Sequence, residues 1–250
     1  ITTYAIYESA TGKYLAAANT LTGNTPAWQT TSTWSNPTVS SLSANTQYTF
    51  SIIARNGSNV ETATTTASAI YTLATTPTAP TVSASTTTAL NVTVANDSAT
   101  TYAVKVVTGV TTKYLQANGT IGDSAVFLTY IQLGNGSVTS TTGLATNTSY
   151  IVSVAGKNGD GTVTTYTAAS AKYTLAQAPT SVTSASTGQT TATVTWNSAT
   201  NPTTTEFALY EINTSQYINS STLAIGATTA QWTVTSTWFT ASNPLTVTGL

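Results

Sequence analysis

Leu42-Ser43-Ala44-Asn45-Thr46-Gln47-Tyr48-Thr49-Phe50-Ser51-Ile52-Ile53-Ala54-Arg55-Asn56-Gly57 is the stretch that decides the fold of this chain. Tyr48, Phe50, Ile52 and Ala54 fall on every second position, with Thr49, Ser51, Ile53 and Arg55 between them. A period of two is the signature of a strand with one face turned to a core. Asn56-Gly57 closes the strand, because Asn-Gly readily takes the left-handed conformation that tight hairpins need. Leu144 through Gly159 repeats the pattern, with Tyr150, Val152, Val154 and Gly156 on the inward positions.

Working outward, the whole chain repeats. Tyr71-Thr72-Leu73-Ala74 returns as Tyr173-Thr174-Leu175-Ala176, and Asn45-Thr46-Gln47-Tyr48 as Asn147-Thr148-Ser149-Tyr150, both at an offset of 102. Tyr4-Ala5-Ile6 matches Tyr102-Ala103-Val104 and Phe207-Ala208-Leu209, while Lys13-Tyr14-Leu15 matches Lys113-Tyr114-Leu115. Trp28 and Trp34 correspond to Trp232 and Trp238 at 204, two periods. The register divides the chain into residues 1–75, the later part of one unit; 76–177, a whole unit; and 178–250, the early part of a third. Short alternating strands, regular Asn-Gly turns and no sustained helical period predict an all-β chain of tandem antiparallel sandwiches.

The segment Leu42–Gly57 and its copy resemble the E–F–G region of fibronectin type III domains. The resemblance implies that Tyr48 and Tyr150 are tyrosine-corner residues, each hydroxyl bonded back to the backbone upstream. Trp196 stands where the family places its strand-B core tryptophan. The middle unit departs, with Asn96 opposite Trp196, so Leu90, Val92 and Val94 are expected to fill that part of its core. The Tyr-Thr-Leu-Ala linker, the paired tryptophans and the Ala54-Arg55-Asn56-Gly57 turn are similar to Thr-rich type III repeats strung along very long bacterial surface proteins. For function this implies an extracellular, cell-surface array and little more, since type III folds host adhesion, spacing and scaffolding and rarely chemistry.

The linkers, Ala74–Pro80 and Ala176–Pro179, are short and carry proline, which fixes φ and favours a semi-extended rod. The register predicts an ordinary covalent array. Exchange of strands 178–205 onto residues 1–75 of a neighbour is the alternative, disfavoured because residues 1–42 and 206–250 both encode the middle strands.

Composition narrows the function. Of 250 residues, 63 are Thr and 27 Ser, while only 5% are charged and the net charge is −1. Threonine suits a strand and keeps its hydroxyl wet, but charge is what normally holds sheet edges apart. A surface this neutral needs a cover: glycan, or neighbouring protein faces in a filament or sheet. Asn56, Asn91, Asn96, Asn118, Asn135, Asn147, Asn213 and Asn219 stand in Asn-x-Ser/Thr sequons, candidate glycosylation sites that chance also supplies in so hydroxyl-rich a chain. With no His and no Cys, a His/Cys zinc site, a thiol nucleophile, a disulfide and a Ser-His dyad are excluded. Six Lys and Arg cannot match a run of phosphates, so no nucleic acid is expected, and no apolar run is long enough to span a membrane.

The seven acids are Glu8, Glu61, Asp97, Asp123, Asp160, Glu206 and Glu211. None forms a calcium-loop spacing, Asp160-Gly161 reads as a turn, and the equivalent Glu8 and Glu211 lie in separate units rather than one cleft. No enzyme, cofactor or metal is expected. Lys105 and Lys113 raise a self-formed isopeptide crosslink only faintly. Trp28, Trp34, Trp232 and Trp238 admit two readings, a surface platform for sugar rings or a partner sheet, and core packing; a spacing of six places each pair on one strand face. The leading expectation is a structural segment of an extracellular tandem-repeat protein forming a filament, sheath or surface layer through self-association. A cell-surface adhesin or carbohydrate-binding array, and the spacer of a secreted enzyme, are the alternatives.

Overall fold

A computed structural model of the chain describes residues 1–35, 37–135, 139–238 and 244–250. Apart from two single-turn helices, Thr31–Trp34 and Thr235–Trp238, its regular structure is strand. Every described ladder is antiparallel, and each lies within residues 1–75, 76–177 or 178–250. The chain is an all-β succession of sandwiches.

The middle unit is the template. One sheet runs Ile121–Gly122, Thr111–Leu115, Thr101–Thr108, Ser149–Lys157 and Thr167–Ala168 in spatial order, with Lys172–Tyr173 also pairing with Ser149–Lys157. The second runs Thr139–Thr142, Ala89–Thr93 and Thr81–Thr86. Between them Leu90, Val92, Val94, Tyr102, Val104, Val106, Val152 and Val154 form a closed core. Strand Ser149–Lys157 supplies its inward positions, with Val152 opposite Val106 and Val154 opposite Val104. Leu90, Val92 and Val94 are buried where Trp196 has no counterpart. Tyr102 fills the remaining space, its hydroxyl donating to Asn96 Oδ1 at 3.3 Å and accepting from the Asp97 N–H at 2.9 Å. In the third unit the corresponding ring is Phe207, and Trp196 packs against it with centroids 6.0 Å apart. Tyr102, with Leu90, Val92 and Val94, thus fills the space that the Phe207–Trp196 ring pair occupies in the next unit.

The outer units share this plan. The same parallel bridge recurs in all three as Thr20–Ser40, Thr120–Thr142 and Ala224–Thr248. Residues 1–75 form a sheet in the order Leu21–Gly23, Lys13–Leu15, Thr3–Glu8, Phe50–Arg55, Thr65–Thr66. Ile6, Phe50 and Ile52 of this sheet line an open groove together with Pro37 and Val39, and Ile52 is 48% exposed. Residues 178–250 carry the opposite layer, Thr180–Ser186, Thr191–Asn197 and Leu245–Thr248, with the short segments Glu206–Phe207 and Tyr210–Glu211 across from it. Its core of Phe207, Ile218, Trp238, Leu245 and Val247 is smaller.

The tryptophan pairs correct the expectation of a shared strand face. Trp34 and Trp238 end the two helices, so each chain turns between the members of a pair and the strand rule fails there. Both rings are buried, and their indole N–H groups donate to Tyr4 O at 2.8 Å and Phe207 O at 3.0 Å. A buried indole needs such a partner; here the bond also pins the helix to the central strand. The surface-contact reading does not hold for these two.

Candidate interaction site at the joints between units

Asn45 is the centre of the first joint. Its φ of +47° places the side chain at a turn, and its backbone N–H is held by Leu73 O at 3.0 Å. Asparagine tolerates this left-handed conformation better than most residues. Its Nδ2 donates to Ser98 O at 2.6 Å and to Thr100 Oγ1 at 3.0 Å, and its Oδ1 accepts from the Gly159 N–H at 2.9 Å. Beside it the Asn158 Nδ2 donates to Thr72 O at 3.1 Å, and Asp160 Oδ2 accepts from the Tyr71 N–H at 2.6 Å. The Asn158–Asp160 turn of the middle unit is therefore seated on the end of the first. Thr75 Oγ1 meets Ser98 Oγ at 3.3 Å and ties down the linker, while Asp97 Oδ2 accepts from the Thr78 N–H at 3.0 Å.

The second joint uses equivalent positions. Asn147, at φ +42°, donates from Nδ2 to Thr205 Oγ1 at 2.7 Å, and its backbone N–H is held by Leu175 O. Thr146 Oγ1 meets Thr200 Oγ1 at 3.2 Å. Gln177, the counterpart of Thr75, accepts from Thr200 and Asn201 and donates its own N–H to Asn201 Oδ1. Neutral amides and hydroxyls make nearly all of these contacts, so salt has little to screen.

The remaining sequence-marked residues fall elsewhere. Tyr48 and Tyr150 are buried, and their hydroxyls accept from the Ser43 N–H at 2.9 Å and the Ala145 N–H at 2.8 Å. Trp28 lies under the Arg55 guanidinium, 4.3 Å from the ring, and Phe127 lies under the Lys157 ammonium at the same distance. Trp232 is 63% exposed. Among the sequon asparagines, Asn56, Asn96, Asn118, Asn135 and Asn213 are exposed, and Asn91, Asn147 and Asn219 are half-buried. The Asn147 amide nitrogen is engaged in the second joint, so a glycan there and that contact exclude each other. The hydroxyl residue of the Asn135 sequon, Ser137, lies outside the described residues. Lys113 pairs with the exposed Asp123, and Lys105 sits over Tyr166, so neither lysine meets an asparagine in a core.

Glu8 and Glu211 are turn-holding groups. Glu8 is fully buried and accepts from the N–H groups of Ala10, Thr11 and Thr49 and from the Thr11 hydroxyl. Burial pushes its carboxyl pKa up, but these four bonds outweigh burial and hold it below the usual carboxylate range. Glu211 makes the same turn with Asn213 and Thr214, whose hydrogen bonds lower its pKa. Among the described residues, no three His, Cys, Asp or Glu come together as a metal site, and no helix is long and apolar enough to cross a membrane.

What sequence reasoning missed is the joint. Asn45 and Asn147 were visible as repeated residues, and Asn158-Gly159-Asp160 as a turn, but their partners lie in another unit and no local pattern carries that information.

The architecture defines an all-β protein of tandem antiparallel β-sandwiches. The sequence matches no family model and no curated relative. Among solved structures, it is similar to a two-domain type III segment of chicken tenascin, at 17% identity, covering 67% of this chain and 81% of that one with a TM-score of 0.40. It is also similar to the FN1–FN3 domains of chicken CNTN1, at 16% identity over 99% of this chain and 78% of that one, TM-score 0.31. A further similarity is to the fn3 domain of the human collagen alpha-1(XX) chain, at 17% identity over 43% of this chain and 92% of that one, TM-score 0.31.

Proposed function

We propose that this chain is a structural segment of an extracellular tandem-repeat protein, three type III units with boundaries near residues 75 and 177, built to hold its neighbours in a fixed line. The observation that carries the reading is the recurrence of the joint: Asn45 and Asn147 close successive boundaries from equivalent positions. A flexible spacer has no need of such bonds, whereas a filament or surface layer transmits its shape through every joint. The neutral, hydroxyl-covered surface supports lateral self-association with neighbouring copies, with glycan as the other cover. The Thr-rich repeat pattern, similar to that of long bacterial surface proteins, supports a place outside the cell.

Electron microscopy of native material tests this. Filaments, sheaths or layers with a repeat set by the units support it; dispersed particles at high concentration overturn it. A second reading, an adhesin, is favoured by one observation, the exposed ring of Trp232. Glycan binding lost in Trp232→Ala without loss of stability would favour it over the structural role.

A further inference from the structure

The first joint is closed by a chemically fragile pair, Asn158-Gly159. Asparagine is thermolabile, and a following glycine leaves its own backbone nitrogen unobstructed. That nitrogen attacks the asparagine Cγ, the C–N bond to the side-chain nitrogen breaks, and ammonia leaves with the proton that the backbone nitrogen gives up. Water then opens the five-membered succinimide at either carbonyl, to aspartate or isoaspartate. The balance needs no oxidant: one amide and one water give one carboxylate and one ammonium.

The attack requires the side chain to turn until Cγ meets the next nitrogen, and it requires that nitrogen to leave its partner. In the joint both movements are blocked. Asn158 is 3% exposed. Its Oδ1 accepts from the Thr162 N–H at 2.7 Å, and its Nδ2 donates to Thr72 O at 3.1 Å. The Gly159 N–H, on the attacking nitrogen, donates to Asn45 Oδ1 at 2.9 Å. Thr72 and Asn45 belong to the first unit, so the neighbour restrains both the amide and the nucleophile. Asn118-Gly119 is the contrast. Asn118 is exposed, its Oδ1 accepts from the N–H and hydroxyl of Thr120, and the Gly119 N–H donates to Gln116 O. Each of those bonds stays inside the middle unit.

The product does not fit the joint. Where the Asn158 amide donates to Thr72 O, a carboxylate sets one acceptor against another. The new charge also joins that of Asp160, whose Oδ2 accepts the Tyr71 N–H. Isoaspartate lengthens the backbone by one carbon, which moves Gly159 and Asp160 out of register with Asn45 and Tyr71.

We propose that Asn158 is a self-modification site gated by the first joint. Closed, the joint shields the amide; opened, it lets residue 158 convert to aspartate or isoaspartate, which holds the joint open thereafter. Local opening has its own free energy, so product at residue 158 records how long the joint has stood open. This inference rests on the rigid joint of the proposed function, and not on assembly of neighbouring copies.

The test ages the full 250-residue chain in mildly alkaline buffer and follows residues 118 and 158 by peptide mass spectrometry with isoaspartate labelling. A synthetic peptide of residues 155–163 sets the unshielded rate. In the parent chain Asn158 should convert at least about tenfold more slowly than in the peptide. Asn45→Gly keeps the left-handed backbone of residue 45 and removes its amide. It should speed conversion at residue 158 about two- to tenfold, the worth of one hydrogen bond, and leave Asn118 unchanged. Asn158→Asp, the product, should broaden the distribution of particle lengths in small-angle scattering. Conversion in the parent as fast as in the peptide overturns the proposal. So do an Asn45→Gly chain as slow as the parent, equal acceleration at residues 118 and 158, or a product variant that scatters as the parent does. Filaments or layers of native material are compatible with any of these results, so this inference and the assembly reading fail separately.

Discussion

A Cβ on Gly159 would stand 2.5 Å from three ring carbons of Tyr71, so the two residues fit only because one of them has no side chain. Gly159 belongs to the middle unit and Tyr71 to the end of the first. The ring closes the joint from one side while Asn45 receives the Gly159 N–H on the other.

Gly159→Ala should therefore open the joint and leave the middle core intact. The Tyr71 ring must move, and the bond from the Tyr71 N–H to Asp160 moves with it. Small-angle scattering should report a broader distribution of particle lengths, with melting changed little. Gly57→Ala is the control: its Cβ meets only the Ile1 nitrogen at 3.7 Å, so its effect should stay within about 0.5 kcal/mol and leave the scattering unchanged.

The two tryptophans of the third unit should behave oppositely. Trp238 is 1% exposed and bonded to Phe207, so Trp238→Ala should cost about 3–5 kcal/mol, read by chemical denaturation. Trp232→Ala should change stability by no more than about 0.5 kcal/mol. A comparable loss in both would place Trp232 in the core.

Tyr150→Phe removes one oxygen and leaves the Ala145 N–H without its acceptor. Loss of a hydrogen bond of this kind costs about 0.5–1.5 kcal/mol, and the loss should appear in urea midpoints without a change in slope. Tyr48→Phe should weaken the first unit in the same sense through Ser43.

Glu8 gives the first unit a pH dependence of defined sign. Its folded pKa is depressed, so its stabilisation is fully present above the unfolded value of about 4.3 and is lost as pH falls through the folded value. Glu8→Gln should lower the melting temperature of the first unit near neutrality and flatten its decline on acidification. Thermal unfolding followed from pH 7 to about pH 2 checks both parts; a variant as steep as the parent would rule out the assignment.

The 102-residue repeat, the strand period and the buried alternation of Tyr150, Val152 and Val154 are legible along the chain, because each depends on neighbours a few residues apart. The core of the middle unit could be assigned the same way, including Leu90, Val92 and Val94 in place of a tryptophan. Short range also explains the error at Trp34 and Trp238: a spacing of six was read along a straight strand, but the chain makes a helical turn before the second ring. Only the tertiary structure decided that Asn45 meets Gly159, 114 residues away, that Tyr71 needs a glycine beneath it, and that Trp28 lies under the Arg55 guanidinium. Periodicity fixes which face of a strand is apolar. Which surfaces then touch is set by contacts between units, whose members share no local pattern.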